Sequence, residues 1–175
     1  MKIFKNTIIP KKYKSSAIAI GNFDGIHKGH QKVFKQAKKY AGKNKIKFGV
    51  VTFTPLPVMF FNRNIKNYRL VSENKKMQLF EKYGVDFVIN IEFNKIFSKI
   101  TAEKFIKDII VKKINPRLIF VSSNFKFGNK RKGNVHLLKR YGKKYNYRLV
   151  NTLIFKYRGK VVSSSLIRKS LENGH

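Results

Sequence analysis

The chain has 175 residues, of which 42% are hydrophobic and 14% aromatic, and this composition predicts one packed domain over residues 1–175 and excludes a disordered chain. It has no cysteine, which excludes disulfides and thiolate metal sites and suits a reducing, cytoplasmic location. No apolar run approaches about 20 residues, and the first residues hold no long apolar segment, so we expect neither a membrane span nor a signal peptide.

The charge balance is strongly positive. Forty Lys and Arg residues face eight Asp and Glu residues, giving a formal net charge of +32. The basic residues are mostly lysine and are spread over the whole chain, which favours compositional drift toward Lys, Asn, Ile and Phe over a nucleic-acid interface. We therefore expect no specific nucleic-acid partner. A positive field would still attract anionic substrates.

Hydrophobic periodicity predicts strands that alternate with helices. In chain order, the predicted elements are a strand at 16–20, a helix at 28–41, a strand at 47–53, a helix capped by Ser72 and reaching 83, a strand at 85–91, a helix capped by Thr101, a strand at 118–121, a helix at 133–144, a strand at 148–155 and a helix at 163–171. Residues 54–57 are predicted to be a proline-punctuated loop, and 157–160 a turn. This alternation implies an α/β fold with a mainly parallel sheet flanked by helices.

A glycine-rich segment, GNFDGIHKGH, follows the first predicted strand and leads into a helix. Backbone N–H groups at such a helix start are unpaired and can bind a phosphate. His27 and His30 lie at the same place, and Gly29 between them would let a phosphate approach the backbone closely. The alternative is a structural turn with a surface histidine. The strand before the segment and the helix after it favour the phosphate site.

Two further motifs follow predicted strands, where ligands of α/β sheets bind. Residues 124–128 read NFKFG, and residues 163–168 read SSSLIR. Serine hydroxyls at a helix start, with Arg168 one turn in, could hold a second anion. Taken alone, each motif has a simpler explanation: a serine N-cap with a solvent arginine, a turn-forming Asn124, and Phe125 and Phe127 on one buried strand face.

Taken together, GNFDGIHKGHQ, TFTPLP, NFKFG and VSSSLIR resemble the ordered signature set of the bacterial FAD synthetase family. That family is the FMN adenylyltransferase module of bifunctional riboflavin kinase/FAD synthetases, and its H-x-G-H pattern is shared by nucleotidyltransferases. The resemblance extends from about residue 18 to about residue 171. It implies a Rossmann-like nucleotidyltransferase fold and the conversion of ATP and FMN to FAD and pyrophosphate with Mg²⁺.

The resemblance also implies roles for individual residues. The expected catalytic residues are His27, His30, Asn124 and Arg168. The expected ATP-binding residues are Gly21, Asn22, Phe23, Asp24, Gly29, Ser164 and Ser165. The flavin ring would need an apolar slot, for which Phe60, Phe61, Phe125 and Phe127 are candidates, although each could equally belong to the core. No metal ligand is assigned.

The chain departs from the family pattern at Leu56, where the family usually has histidine, at Ser122, where glycine is common, and mildly at Ser165, where the family has threonine. Two alternatives remain. One is another H-x-G-H enzyme with a different acceptor, such as a pantetheine phosphate, nicotinate mononucleotide or a cytidylyl-transfer substrate. The other is a basic nucleic-acid-binding module. The family's riboflavin kinase domain normally begins near residue 171 and is absent from these residues, so we expect an isolated module or a fragment of a bifunctional enzyme.

Overall fold

The computed structural model describes residues 1–62, 64–65 and 68–174. Its strands are β1 (Lys2–Phe4), β2 (Ala17–Ile20), β3 (Phe48–Thr54), β4 (Phe87–Glu92), β5 (Leu118–Ser122), β6 (Lys126–Phe127), β7 (Gly133–Asn134), β8 (Arg148–Thr152), β9 (Lys156–Tyr157) and β10 (Lys160–Val161). Its α-helices are α1 (Lys28–Lys43), α2 (Pro57–Phe61), α3 (Glu73–Lys82), α4 (Lys95–Ser98), α5 (Ala102–Lys104), α6 (Val135–Tyr145) and α7 (Ser164–Glu172). Helix α5 continues as a π-helix over Phe105–Ile114, and short 3₁₀ turns occupy Lys11–Tyr13 and Asn129–Arg131. Within the described ranges, no helix is long and apolar enough to cross a membrane.

Six parallel strands form the central sheet in the order β1-β4-β3-β2-β5-β8. The chain moves outward from β2 through β3 to β4, and then returns to the other side of β2 to form β5 and β8. In open α/β sheets, a ligand crevice lies at the carboxyl ends of the strands where the order reverses. The predicted α/β fold with a mainly parallel sheet is confirmed, and its crevice lies at the carboxyl ends of β2 and β5.

The core lies on both faces of this sheet, so the inner strands are apolar on both sides. Ala17 and Ala19 of β2 face α1 and α3, whose Phe34 and Phe80 are fully buried. The alternate residues of the strand, including Ile18, face the π-helix and α6. The predicted cap of the α5 segment is confirmed, since the Thr101 hydroxyl accepts a hydrogen bond from the Lys104 amide.

The structure differs from the sequence prediction at several short elements. Pro57 begins α2 instead of continuing a loop, because the fixed backbone angle of proline suits the first position of a helix. The strand predicted at 148–155 ends at Thr152, and the predicted turn at 157–160 is the tip of the β9–β10 hairpin. Strand β1 and helix α4 were not predicted, because elements of three and four residues carry too little periodicity to detect.

Alanine substitutions at two glycines, one in a crowded place and one in an open place, test the packing of the fold. Gly49 in β3 lies opposite Phe87 in β4, and a Cβ at Gly49 would overlap the Phe87 ring. Gly42 in α1 has open space around it. We expect Gly49→Ala to lower the free energy of unfolding by about 1–3 kcal/mol through overpacking. Gly42→Ala should raise it by about 0.5 kcal/mol, because alanine is the better helix former. Chemical denaturation of both variants measures this, and equal effects would contradict the packing described here.

Candidate functional site

A cleft of about 1000 Å³ opens at the carboxyl ends of the strands. Of the residues that the sequence predicted for the site, the cleft brings together Gly21, Asn22, Phe23, Asp24, His27, Gly29, His30, Phe61, Asn124, Phe125, Phe127, Ser164, Ser165 and Arg168. Phe60 is not among the lining residues. It packs against Phe61 and Phe93, with ring centroids 5.2 and 5.4 Å away. Four distant segments of the chain therefore contribute to one cavity.

The two histidines form a stacked pair at the start of α1. Their ring centroids are 3.7 Å apart, and the rings are inclined by 23°. His27 is the N-cap residue of α1, yet its side chain makes no capping hydrogen bond. A Cβ on Gly29 would lie 3.1 Å from the His27 ring, so the absence of a side chain there lets the imidazole fold back over the helix start.

The first turn of α1 is suited to an anion. Helices α3, α6 and α7 each donate a first-turn backbone N–H to a capping side chain, those of Ser72, Asn134 and Ser163. Helix α1 has no such cap and no acidic residue in its first turn. Its N-terminal amides and the helix dipole therefore face the cleft without a neutralising group from the capping position.

Burial keeps both imidazoles neutral. It lowers the pKa of His30 to about 3, with a smaller contribution from neighbouring His27. Burial also lowers the pKa of His27, against an opposing effect of the Asp24 carboxylate. The Nδ1 atoms of the pair are buried and have no hydrogen-bond partner among the described residues. A neutral imidazole has one N–H donor and one acceptor nitrogen, so each ring can offer one directed donor to a phosphate.

Phe23 forms the floor beneath the histidines. Its ring is 3% exposed and packs edge-on against His30, with centroids 5.2 Å apart, and against Phe34 at 4.8 Å. The neighbouring Asn22 is exposed, and its carbonyl accepts a hydrogen bond from the Thr52 hydroxyl. Phe23 therefore supports the histidine pair from the core, while Asn22 stands at the surface of the cleft.

Asp24 and Arg168 meet directly. An Arg168 Nη2–H group donates to Asp24 at 2.6 Å, and the Leu70 amide donates to both Asp24 oxygens at 3.0 and 3.1 Å. The Ser164 hydroxyl donates to the Asp24 carbonyl at 2.9 Å, whereas neighbouring Ser165 is exposed. Asp24 and Ser164, predicted to bind ATP, and Arg168, predicted to be catalytic, thus bond to one another.

Aromatic rings line the part of the cleft that lies away from the histidine pair. They form a continuous series of edge, tilted and stacked contacts with centroids 5.4 to 6.4 Å apart. This aromatic wall consists of Phe53, Phe61, Phe93, Phe97, Phe105, Phe125 and Phe127. Phe53, Phe93, Phe97 and Phe105 were not predicted as site residues. Phe53 and Phe93 lie near the ends of β3 and β4, Phe97 in α4 and Phe105 at the start of the π-helix, and no signal in the sequence separates these positions from core positions.

Two of the three departures from the family pattern, Leu56 and Ser122, occupy defined places. Leu56 is 2% exposed and lines the cleft beside α2, so it adds apolar surface where the family usually has an imidazole. The Ser122 hydroxyl donates to Asn124 Oδ1 at 2.7 Å. Ser122 therefore orients the exposed Asn124 amide at the end of β5.

The candidate metal ligands among the described residues are few. These residues contain no group of three His, Cys, Asp or Glu side chains placed to hold a metal ion. Asp24 is the only carboxylate among the described residues that line the cleft, and both of its oxygens accept hydrogen bonds from protein groups.

The histidine pKa values predict how stability depends on pH. Folding lowers the pKa of His30 from 6.5 to about 3, so the unfolded chain takes up this proton first as the pH falls. The contribution of the neutral His30 ring to the free energy of unfolding is fully present above pH 6.5. It is lost progressively toward pH 3, at up to about 1.4 kcal/mol per pH unit. We expect His30→Gln to show a shallower decline in the free energy of unfolding over this range, measured by denaturant titration. Parallel pH profiles would contradict the burial of the His30 ring.

Comparisons with known proteins agree with this geometry. A model of the FAD synthetase family matches residues 9–166. The chain is 39% identical over 173 residues to the bifunctional riboflavin kinase/FMN adenylyltransferase of Buchnera aphidicola subsp. Schizaphis graminum, covering 98% of this chain and 55% of that protein. It is 30% identical over 178 residues to the FAD synthetase of Listeria monocytogenes, covering 100% of this chain and 71% of that protein.

The chain spans about half the length of the bifunctional relatives it matches. A crystal structure named as a macrolide-efflux protein from Streptococcus pneumoniae has a TM-score of 0.82 over 97% of this chain and 56% of that one, at 24% identity. That likeness shows the shared fold, which is Rossmann-like as the resemblance implied. Since the family model covers most of the sequence, from residue 9 to residue 166, the chain belongs to the FAD synthetase family.

Proposed function

We propose that this chain transfers the AMP group of ATP to FMN, giving FAD and pyrophosphate. The observation that carries the proposal is the stacked pair of neutral histidines at the uncapped start of α1, in the same cleft as an aromatic wall. One end of the cleft suits a phosphate chain and the other a flat, apolar ring. The names of the relatives, FMN adenylyltransferase and FAD synthetase, support the same reaction.

The ATP triphosphate would lie at the start of α1. The amides of Lys28, Gly29 and His30 lie in the first turn of α1, where amides have no partner within the helix and can bind a phosphate. The His27 and His30 rings would each add one N–H donor. The exposed Ser165 at the start of α7 lines the same cleft and is a further proposed contact.

The chemical step is an in-line displacement. A phosphate oxygen of FMN forms a bond to the α-phosphorus of ATP while the bond to the bridging oxygen of the β-phosphate breaks, and pyrophosphate leaves. The FMN phosphate is already an anion at neutral pH, so no general base is needed. Negative charge builds on the equatorial and leaving oxygens, and preorganised donors there lower the barrier. His27 and His30 are the groups to which we assign that role.

The flavin ring would lie against the aromatic wall. Phe61 is 70% exposed and Phe125 is half-buried, so both keep ring surface for a ligand, whereas Phe127 is 7% exposed and serves mainly as support. Asn124, held by Ser122, would give a polar contact at the junction between the ring and the phosphates. Stacked or edge-on aromatic contacts of this kind give both binding energy and orientation.

We propose that Mg²⁺ enters as its complex with ATP, since Mg²⁺ commonly binds through substrate phosphates.

A reducing cytoplasm is the compartment that we propose, given the absence of cysteine. FMN would come from riboflavin phosphorylation. The bifunctional relatives are also named as riboflavin kinases. We propose that a kinase domain is joined to this module as well.

The proposal is tested by incubating the purified chain with ATP, Mg²⁺ and FMN and separating the flavins by chromatography. We expect FAD and pyrophosphate in equal amounts. We expect no flavin nucleotide from riboflavin, because riboflavin has no phosphate to act as nucleophile. Nicotinate mononucleotide and phosphopantetheine serve as competing acceptors. Transfer to one of these in place of FMN, or FAD formation absent at every ATP and Mg²⁺ concentration, would refute the assignment.

His30→Ala tests the proposed role of the histidine pair. We expect kcat to fall by about 10²–10³-fold, the effect of removing one preorganised donor to developing charge. The affinity for ATP should change much less, because the helix amides still bind the phosphates. His136→Ala is the matched control, since His136 is exposed on α6 and does not line the cleft. Steady-state kinetics separate the two effects, and turnover near that of the wild type in His30→Ala would place the chemistry elsewhere.

A further inference from the structure

Three segments that are far apart in the sequence meet at one buried ion pair. Asp24 belongs to the loop between β2 and α1, Arg168 to α7, and Tyr68 and Leu70 to the segment before α3. The Asp24 side chain is 4% exposed and that of Arg168 13% exposed. Their contact joins residues 144 positions apart.

Arg168 uses its guanidinium in three ways within the protein. Its Nη2–H group donates to Asp24, its Nε–H group donates to the Tyr68 carbonyl at 2.7 Å, and its Cζ atom lies 3.7 Å from the centroid of the Tyr68 ring. The Leu70 amide completes the bonding of the Asp24 carboxylate. Tyr68 is thus held by Arg168, and Leu70 by Asp24. We call the group of Asp24, Tyr68, Leu70 and Arg168 the Asp24 clamp.

A second charge group lies behind the clamp. Glu73 pairs with Arg69 at 3.3 Å and with Lys76 at 3.1 Å, and Lys76 is 2% exposed. These pairs fasten the segment that carries Tyr68 and Leu70 to the first turn of α3. The clamp therefore links α3, through residues 68–70, to α7 and to the loop between β2 and α1. We call that loop, which leads into the histidine pair, the histidine loop.

We infer that Asp24 and Arg168 are positioning residues, which act on the reaction by fixing the histidine loop and α7 relative to each other. This inference rests on the proposed function of the cleft. Asp24 lies three residues before His27, and its carbonyl accepts a hydrogen bond from Ser164 at the start of α7. Movement at Asp24 would shift both walls of the proposed phosphate site.

The cost of separating the pair supports this role. If Arg168 moved away from Asp24, it would leave a carboxylate that is 4% exposed without its charged partner. An unpaired buried charge is strongly destabilising, whereas the intact, fully hydrogen-bonded pair is not. The stack on Tyr68 and the bond to the Tyr68 carbonyl would be lost as well.

The clamp also influences the electrostatics of the histidines. The Asp24 charge raises the pKa of His27 against the effect of burial. Arg168 is bonded to the same carboxylate and offsets its charge, and Lys76 is also close enough to interact with it. Loss of Asp24 should therefore lower the pKa of His27 further, and loss of Arg168 should raise it.

The test uses Asp24→Asn, Arg168→Gln, the double variant, and Lys169→Gln as a matched control. Lys169 is exposed on the same helix and loses one charge without touching the clamp. The measurements are steady-state kinetics with ATP and FMN, calorimetric binding of ATP, amide exchange at Leu70, and NMR titration of the His27 ring. The last two need no turnover, so they report on the clamp even if the proposed reaction is wrong.

We expect each single variant to lower kcat by about 10- to 100-fold, and the double variant to lose no more than the worse single variant, since coupled partners are not additive. Leu70 exchange should be faster in all three, and the His27 pKa should move in opposite directions in the two single variants. The control should match the wild type throughout.

A different pattern would overturn the inference. If Arg168→Gln weakens ATP binding strongly while Asp24→Asn leaves ATP binding and Leu70 exchange unchanged, Arg168 acts on ATP without Asp24. Additive losses in the double variant would show that the two residues act independently, which would also overturn the inference. Should Arg168→Gln fail to fold, Arg168→Lys replaces it. That variant keeps the ion pair but loses the planar stack on Tyr68, and we expect intermediate values for both exchange and kcat.

Discussion

The position of the site depends on the reversal of strand order at β2. Because β3 and β5 flank β2 on opposite sides, the loops after β2 and β5 leave the sheet beside each other and diverge, and the space between them cannot be filled by either crossover helix. The loop after β2 carries the histidine pair. The loop after β5 carries Asn124 and Phe125, which lie about one hundred positions later in the chain. One topological feature thus brings a phosphate-binding helix start and an aromatic surface into the same cleft.

Burial decides the charge state of the histidines in a protein that is otherwise strongly cationic. A net charge of +32 already disfavours another positive charge, and burial adds to this, so the His30 pKa falls to about 3. Neutral imidazoles keep a single N–H donor each, which suits a role as directed donors to developing charge. Cationic imidazoles would bind ATP more strongly in the ground state, without the same gain in the transition state.

Sequence reasoning identified the parts of the site whose residue types are unusual in their context. Two histidines and three glycines between a strand and a helix have few structural explanations, and His27, Gly29 and His30 do lie together at the start of α1. Phe93 follows β4 and Phe97 lies in α4, and both were missed because phenylalanines at such positions are equally typical of a core. Only the fold shows that their rings face a cleft. The partner of Arg168 was also beyond reach, since no spacing rule connects it with Asp24 across 144 positions.

The Asp24 clamp also affects the electrostatic repulsion between the two substrates of the proposed reaction. ATP and the FMN phosphate are both anions, and they must come into contact at the α-phosphorus against their mutual repulsion. A free carboxylate in the cleft would add to that repulsion. Asp24 is the only carboxylate among the described lining residues, and Arg168 neutralises it at close range while the Leu70 amide occupies its oxygens. The same ion pair can therefore fix the geometry of the histidine loop and leave the cleft with a positive potential for two negatively charged substrates.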